Sequence, residues 1–305
     1  MTMPWGLVAL LGLATAIVLV AVVARLAQRL RRPPRRTAGW ALARGRPADP
    51  GDLGLAWRED AVAGMPFWIA ANSEEVLASP SAPTVVLLHG WGRSRRDMLG
   101  RLEPWRRRRY RMVMPDLRGH GDADGPSGLG TPEVGDVMAL VDALPPGDVL
   151  LCGHSMGGVV AIHTAARLGA GSTARPTPFI SGVVALAPYE RVRIPAAAQL
   201  AAAGFGVRHL MTPLLAVLRI CGVTESSTTR SASDLQTPLL VLHGEDDQLC
   251  PIGDAHLIAA AAGRHGRFEG LPNTGHDDLR PESLEGIERR IERWLDELPS
   301  GERQP

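Results

Sequence analysis

The sequence predicts an α/β fold, a doubly wound and mostly parallel sheet with helices on both faces, preceded by one transmembrane helix. Short apolar runs that end in turn residues alternate with stretches of helical spacing, which is typical of parallel strands joined by crossover helices. The N-terminal stretch from Thr2 to Ala24 is apolar and carries no charged side chain. The rest of the 305 residues are enough for one large domain.

The composition argues against several classes of protein. The formal net charge is +1, whereas domains that bind nucleic acid usually have a strong basic excess, so no nucleic-acid partner is expected. The three cysteines Cys152, Cys221 and Cys250 are widely spaced and indicate neither a disulfide framework nor a zinc site. We therefore expect no metal or other cofactor. The basic run at 106–111 is interpreted as a solvated helix end; contact with nucleic acid or anionic lipid is the alternative, and of these two lipid is favoured because the predicted anchor is nearby.

Residues 4–24 are predicted to form a transmembrane anchor. As a helix with a rise of about 1.5 Å per residue, this stretch is roughly 30 Å long, which is the thickness of a hydrocarbon core. A cleavable signal peptide is the alternative, although it would have a basic N-terminal region and a shorter apolar segment. Only the α-amino group precedes the span, so the positive-inside rule places the rest of the chain in the cytoplasm. The arginines that follow the span are Arg25, Arg29, Arg31, Arg32, Arg35 and Arg36.

Residues 25–50 are predicted to form a basic juxtamembrane linker. They are rich in Arg, Pro, Ala and Gly and lack apolar periodicity. Such a segment would hold the following domain close to anionic lipid headgroups. On this interpretation, residues 1–36 determine where the protein is located and take no part in its chemistry.

Residues 51–298 are predicted to form the globular domain. Its buried parallel strands are predicted from apolar runs bounded by turn residues. Two less regular segments, 55–62 and 66–70, are candidates for antiparallel strands at the start of the domain. The predicted parallel strands cover residues 84–88, 111–115, 149–152, 180–186 and 239–243.

Helical spacing predicts helices over 159–168 and 252–262 and an amphipathic helix at the end of the domain. Residues 195–223 break the alternation, because they are long, apolar and helical. We interpret this segment as part of a cap over about residues 190–233, with an ordinary helix covering the sheet as the alternative. The apolar face of the last helix consists of Leu284, Ile287, Ile291, Trp294, Leu295 and Leu298.

The strongest motif is Gly153-His154-Ser155-Met156-Gly157, which directly follows a predicted strand and precedes a predicted helix. This context is that of a nucleophile elbow. A sharp strand-to-helix turn needs glycines so that the backbone can pass closely, and it pushes the serine hydroxyl out at the carboxyl edge of the sheet. Ser155 is therefore the predicted nucleophile.

A serine hydroxyl needs a base to take its proton, and the base needs an acid that orients it. Glu245, Asp246 and Asp247 follow the predicted strand at 239–243, and one of them can be the acid. His276 comes later, in a glycine-containing loop before the last helix, and it is the predicted base. Other histidines at strand ends do not follow the acid loop, namely His89, His120, His154 and His243.

The oxyanion that forms during acyl transfer needs two N–H donors aimed at one point. Met156 directly follows the nucleophile and is predicted to supply one of them through its backbone. The segment His89-Gly90-Trp91-Gly92 follows the strand at 84–88, and its glycines allow a close approach. The backbone N–H of Trp91 is the predicted second donor, with a plain glycine turn as the alternative.

Together these segments resemble the α/β-hydrolase superfamily over about residues 55–298, and within it the monoacylglycerol lipase and serine aminopeptidase-like branch. In that branch the acid follows the pattern G-x-x-D-x-x-V-P, which aligns with Asp247 and puts Cys250 where Val is usual. The resemblance therefore implies the triad Ser155, Asp247 and His276. It also implies that the segment Asp116-Leu117-Arg118-Gly119-His120-Gly121 is a structural loop.

The resemblance implies a serine hydrolase that cleaves carboxylic esters, either lipid-like or small, through an acyl-enzyme. Its partners would be an acyl ester or lipid substrate and, through the N-terminal helix, a membrane. An amidase, peptidase, acyltransferase or cofactor-free haloperoxidase of the same fold is the alternative, because the pocket and not the fold sets the substrate. A noncatalytic binding protein is a further alternative, but it would normally lack part of the triad.

Overall fold

Eight strands form the central sheet of the computed structural model, which describes residues 5–169, 178–202, 204, 209–277 and 280–298. The strands are β1 (Ala56–Val62), β2 (Met65–Ala71), β3 (Thr84–Leu88), β4 (Arg111–Pro115), β5 (Asp148–His154), β6 (Phe179–Leu186), β7 (Leu239–Gly244) and β8 (Gly266–Leu271). Their spatial order is β1-β2-β4-β3-β5-β6-β7-β8. The pairs β1–β2 and β2–β4 are antiparallel, and all the others are parallel. The predicted mostly parallel α/β sheet is confirmed.

The central strands are apolar at every position because both faces of the sheet are covered. Along β3, Val85 and Leu87 belong to the core on one face, while Val86 and Leu88 belong to the core on the other. All four side chains are fully buried. Since successive side chains of a strand point to opposite faces, a strand covered on both sides cannot alternate between apolar and polar residues.

Twelve helices lie among the described residues. Helices α4, α5 and α12 contribute to the core on the face of Val85, and α6, α7 and α11 contribute to the opposite core. The helices are α1 (Trp5–Arg31), α2 (Ala38–Leu42), α3 (Glu74–Ala78), α4 (Arg95–Met98), α5 (Glu103–Arg107), α6 (Pro132–Asp142), α7 (Met156–Gly169), α8 (Arg193–Ala202), α9 (Met211–Ile220), α10 (Thr228–Ser233), α11 (Ile252–Ala261) and α12 (Pro281–Glu297). Helices α7, α11 and α12 correspond to those predicted from helical spacing.

Within the described part of the chain, one strand is not predicted by the sequence. Strand β8 lies at the edge of the sheet, next to β7. Its central residues Arg267, Phe268 and Glu269 are half-buried and include two charged side chains. An edge strand is covered less completely than a central one, so it does not have the continuous apolar run that identifies β3 to β7.

The segment between β6 and β7 contains α8, α9 and α10. Residues 203 and 205–208, which belong to the predicted cap and include Gly206, lie outside the described residues. Helix α8 contributes lining residues to the cavity that holds Ser155. The segment therefore lies beside the site.

Helix α1 is longer than the predicted span and continues through the first part of the predicted linker to Arg31. Every residue from 5 to 22 is exposed, but Val23, Leu26, Ala27 and Leu30 are buried. These four share one helical face and belong to the same core as α9, against which α1 packs. The helix is long and apolar enough to span a membrane, and its last turns are part of the domain.

Candidate active site

A tight turn at Ser155 joins β5 to α7. The φ of Ser155 is +54°, in the left-handed region that costs a residue with a side chain roughly 1–2 kcal/mol. Its backbone N–H donates a 2.7 Å hydrogen bond to the carbonyl of Leu186, which holds the turn. A Cβ added to Gly153 would lie 2.2 Å from the backbone of Gly157, and one added to Gly157 would lie 2.2 Å from the Leu88 carbonyl oxygen. Both glycines are therefore required by close backbone contact.

His276 reaches Ser155 from the loop between β8 and α12. Its Nε2 lies 3.0 Å from the Oγ of Ser155, and its Nδ1 lies 2.7 Å from Oδ2 of Asp247. An ionised carboxylate only accepts hydrogen bonds, so Nδ1 carries the proton and Nε2 accepts from the serine hydroxyl. The structure thus brings the three predicted residues into one hydrogen-bonded chain.

The carboxylate of Asp247 is fully buried, and both of its oxygens have partners. Oδ1 accepts hydrogen bonds from the backbone N–H groups of Leu249 and Cys250 at 2.8 and 2.9 Å. Oδ2 lies 3.0 Å from Nε2 of His243, in addition to its contact with His276. Burial alone would raise the pKa of Asp247, but hydrogen bonds from His243, His276 and the backbone outweigh it and hold the pKa well below its usual range. The carboxylate of Asp247 therefore stays ionised, and its hydrogen bonds hold it in one position.

Asp246, which the sequence leaves as a competing acid, is exposed to solvent. Its backbone N–H donates to the carbonyl of Thr274 at 3.0 Å, which holds the acid loop against the loop that carries His276. Of the two aspartates, Asp247 is the one hydrogen-bonded to His276.

Two histidines hold the triad residues in place, and the sequence did not assign them this role. Nε2 of His154 lies 2.8 Å from the backbone carbonyl of His276, and the two rings are in contact, with centroids 5.1 Å apart. Burial lowers the pKa of His154 well below its usual range, so its ring is neutral. His243 contacts both Asp247 and the carbonyl of Cys250 through Nε2. The sequence signal that could have identified them is their position, since each lies in or at the end of a strand that leads into the site.

The two predicted oxyanion donors, Trp91 and Met156, line the same cavity as Ser155. Met156 is the first residue of α7, so its N–H lies at the positive end of the helix dipole. A Cβ added to Gly90 would lie 3.3 Å from the Cβ of Ser155, so the loop passes close to the nucleophile. His89 fixes this loop, because its Nδ1 donates to the Gly90 carbonyl at 2.8 Å.

The other ring nitrogen of His89 ties this loop to the one that begins at Asp116. Nε2 of His89 accepts a 2.9 Å hydrogen bond from the backbone N–H of Leu117. The buried carboxylate of Asp116 accepts from the backbone N–H groups of Arg95 and Asp122 at 2.8 and 2.9 Å. Asp116 therefore braces neighbouring loops, which agrees with the structural role implied by the resemblance.

A cavity of about 270 Å³ lies above Ser155 and has a mostly apolar wall. Its one described cation is Arg93, which forms an ion pair with Asp277, next to His276. Burial and the nearby Arg36 lower the pKa of Arg93 to about 10, so it is charged at neutral pH. The lining consists of Leu30, Gly90, Trp91, Arg93, Leu129, His154, Ser155, Met156, Tyr189, Val192, Pro195, Ala196, Gln199, Leu249, His276 and Asp277.

Comparison with known proteins agrees with the geometry. The sequence profile of the alpha/beta hydrolase family matches residues 85–285, which run from β3 past His276. The chain belongs to this family. The superfamily predicted from the motifs is thereby confirmed.

Curated relatives of the hydrolase include esterases and a lipase. Human monoglyceride lipase is 27% identical over 224 residues, which cover 59% of the hydrolase and 71% of the lipase. Mouse protein phosphatase methylesterase 1 is 40% identical over 98 residues, which cover 28% of the hydrolase and 24% of the methylesterase. The hydrolase thus spans only about a quarter of the methylesterase's length.

Solved structures show the same fold. An esterase from Pyrococcus furiosus superimposes with a TM-score of 0.66 at 18% identity, and the match covers 88% of the hydrolase and 98% of the esterase. A bacterial membrane phospholipase A gives a TM-score of 0.58 at 18% identity and covers 96% of the hydrolase and 97% of the phospholipase chain. The family and these relatives support a hydrolase of the esterase or lipase type.

Asp247, Cys250 and His276 also offer three potential metal ligands within 4.8 Å of one another. A thiol binds metal as the thiolate, but burial raises the pKa of Cys250 well above its usual range, and nearby Asp247 raises it further. Oδ2 of Asp247 and Nδ1 of His276 are already bonded to each other. The donor set fits the hydrogen-bonded triad better than it fits a metal ion.

Proposed function

We propose that the hydrolase is a serine esterase with Ser155 as nucleophile, His276 as general base and acid, and Asp247 as the residue that orients and stabilises the imidazolium. The observation that carries this proposal is the continuous chain of hydrogen bonds from Ser155 Oγ through His276 to Asp247, at 3.0 and 2.7 Å. A buried carboxylate that stays ionised favours a positive charge on the ring it contacts.

In the acylation step, Oγ of Ser155 attacks the ester carbonyl carbon while its proton moves to Nε2 of His276. The carbonyl oxygen becomes an oxyanion, which the backbone N–H groups of Trp91 and Met156 stabilise. When the C–O bond of the ester breaks, the alcohol leaves with the proton from His276.

In the deacylation step, a water molecule gives a proton to Nε2 of His276 and attacks the acyl group on Ser155. The second oxyanion collapses, the bond to Oγ breaks, and Oγ takes back the proton from His276. The products are a carboxylic acid and free enzyme.

The apolar wall of the cavity favours a substrate with an acyl chain. Leu129, Tyr189 and Val192 provide apolar surface beside Ser155, and burial of a chain there is favoured by roughly 0.8 kcal/mol per CH₂ group. We therefore assign the acyl part of the ester to this cavity.

We also propose that α1 is a membrane anchor that the mature protein retains. Its residues 5–22 are exposed and apolar, which favours lipid around them over water. Leu26 and Leu30 lie in the domain core, so cleavage by a signal peptidase would separate the apolar stretch from residues with which it forms one helix.

We propose that the catalytic domain lies in the cytoplasm, a proposal that the charge asymmetry around α1 supports. A reporter fused after Pro305 tests this orientation in intact cells. Alkaline phosphatase should be inactive at this position and a fluorescent protein should be bright, whereas active phosphatase would mean that the domain is exported.

The enzymatic proposal is tested with purified full-length protein and a panel of matched esters and amides with acyl chains of increasing length. We expect esters to be hydrolysed faster than the matching amides, and the Ser155→Ala variant to be inactive on all of them. Faster amide cleavage would show an amidase, and equal turnover by wild type and Ser155→Ala would exclude the proposed mechanism.

A further inference from the structure

The N-terminal helix changes its surroundings sharply at Val23. Every residue from 5 to 22 is exposed, whereas Val23 is 3% exposed and Leu30 is 2% exposed. The last two turns of α1 pack against α9, with Leu214 and Leu218 fully buried in the same core. These turns are thus integrated into the domain, in contrast to the location-only role predicted for residues 1–36.

Leu30 reaches the active-site cavity. It lines the same space as Ser155 and Met156, together with Val192 and Ala196 from the cap side. Part of the cavity wall therefore comes from the helix that precedes the hydrolase domain in the sequence.

Polar contacts hold this wall in place. The indole Nε1 of Trp91 donates to the carbonyl of Leu30 at 2.7 Å, and the backbone N–H of Ser127 donates to the carbonyl of Arg31 at 2.7 Å. Further along, the guanidinium of Arg35 donates to the carbonyls of Gly121 and Ala123 at 3.0 and 2.7 Å. The end of α1 is fixed at several points, so its position in the cavity is defined.

The geometry also gives the distance from the cavity to a bilayer. If the exposed residues 5–22 lie in hydrocarbon, the boundary of that region is near Val23. At a rise of about 1.5 Å per residue, Leu30 is then roughly 10 Å beyond the boundary. This distance is slightly more than the thickness of the polar headgroup layer, which is roughly 5–8 Å on each side, since a bilayer of roughly 40–45 Å has a hydrocarbon core of only about 30 Å.

We propose that the last turn of α1 forms part of the acyl-chain wall of the pocket through Leu30, which acts as a specificity-determining residue, and that the substrate is a lipid whose acyl chain enters from the bilayer spanned by α1. This inference rests on the proposed esterase function. A lipid ester at the hydrocarbon boundary needs to move only about 10 Å along α1 to reach Leu30 at the cavity, and its chain passes from hydrocarbon into an apolar cavity. A soluble ester would gain nothing from this placement.

The role of Leu30 is tested by full-length Leu30→Trp, which fills the pocket, with Leu19→Trp as the matched control on the exposed face of the same helix. We expect the ratio of kcat/KM for p-nitrophenyl palmitate to that for the butyrate to fall roughly tenfold or more in Leu30→Trp, and to stay at the wild-type value in Leu19→Trp. Leu30→Ala provides a second readout that does not overfill the core, and its ratio should shift toward the longer chain.

An unchanged chain-length ratio in both Leu30 variants, with ester hydrolysis still present, would overturn the role of Leu30 without affecting the proposed esterase. A wild-type protein that hydrolyses neither ester would instead overturn the esterase proposal on which the inference rests.

The source of the lipid is tested with phosphatidylcholine vesicles that carry a fluorogenic phospholipid ester. We expect rapid cleavage when the protein and the substrate are in the same vesicle and much slower cleavage when they are in separate vesicles. Equal rates in the two arrangements would show that the substrate arrives through water, and would overturn the bilayer route.

Discussion

The indole nitrogen of Trp91 donates a 2.7 Å hydrogen bond to the main-chain carbonyl of Leu30. Leu30 is in the last turn of α1, where carbonyls have no partner within the helix, and the indole supplies one. Trp91 is also the residue whose backbone N–H we assign to the oxyanion. The contact therefore ties the catalytic loop to the end of the N-terminal helix.

Deletion of residues 1–36 should abolish hydrolysis of short soluble esters, whereas deletion of residues 1–22 should not. The longer deletion removes the buried side chains of Val23, Leu26 and Leu30, each of which contributes roughly 1.5–3 kcal/mol. A typical domain is stable by only about 5–15 kcal/mol in total. Thermal unfolding and p-nitrophenyl acetate hydrolysis of the two truncated proteins check this. A longer deletion that folds cooperatively and is fully active would contradict it.

The packing of the last turns of α1 into the domain could not be predicted from the sequence. An apolar residue that faces lipid and one that faces a protein core look the same in a sequence, so Leu26 and Leu30 gave no sign of where the membrane span ends. The basic residues after them suggested a linker, but Arg31 and Arg35 bond to backbone carbonyls of the domain.

Asp247→Asn should lower kcat by several orders of magnitude, while the neighbouring Asp246→Asn should change it little. Only the Asp247 carboxylate contacts His276, and an amide there can neither carry the charge nor hold the right tautomer. Steady-state kinetics of the two purified variants, which differ by one position in the chain, give the comparison. A larger loss of kcat in Asp246→Asn would reverse the assignment of the acid.

His154→Leu should lower kcat roughly 10- to 100-fold with a smaller change in KM. Nε2 of His154 bonds to the backbone carbonyl of His276, so its loss lets the base move out of alignment. His163→Leu is the matched control, because His163 is also buried and hydrogen-bonded, to Ser231, but lies outside the cavity. We expect that control to lower the melting temperature without the drop in kcat. Similar kcat values for the two variants would argue against a positioning role.

Stability should fall as the pH decreases from about 7.5 to 5.5. Burial lowers the pKa of His89, His120, His154 and His163, to about 3 for His120 and about 4 for His163. Below about pH 6.5 these histidines are protonated in the unfolded chain but stay neutral in the folded protein. This difference lowers the free energy of unfolding by up to about 1.4 kcal/mol per histidine per pH unit. The contribution of these neutral histidines to stability is therefore fully present above about pH 6.5 and is lost as the pH falls.

The measurement is the urea midpoint of unfolding across that pH range for wild type, His163→Leu and, as a control for loss of an imidazole, the exposed His256→Leu. His163→Leu should have the shallower pH dependence. A slope equal to that of wild type would mean that His163 does not contribute to the pH effect.

The parts of the fold that the sequence predicted are those with a local physical signature. Strands β3 to β7 are apolar on both faces, and the elbow at Ser155 needs glycines at positions where any Cβ would lie only 2.2 Å from neighbouring backbone atoms. The roles of His154 and His243 depend on contacts between segments far apart in the chain, and a local sequence pattern cannot predict such contacts. Strand β8 depends on its place at the edge of the sheet.

The proposed mechanism requires Ser155 to be a nucleophile that His276 activates. The most direct measurement is labelling of the intact protein with a fluorophosphonate, followed by peptide mass spectrometry to locate the adduct. We predict one adduct, on the Oγ of Ser155, and a large loss of labelling in His276→Ala and in Asp247→Asn but not in Asp246→Asn. An adduct on another residue, or labelling of Ser155 at an unchanged rate in His276→Ala, would contradict the proposed mechanism.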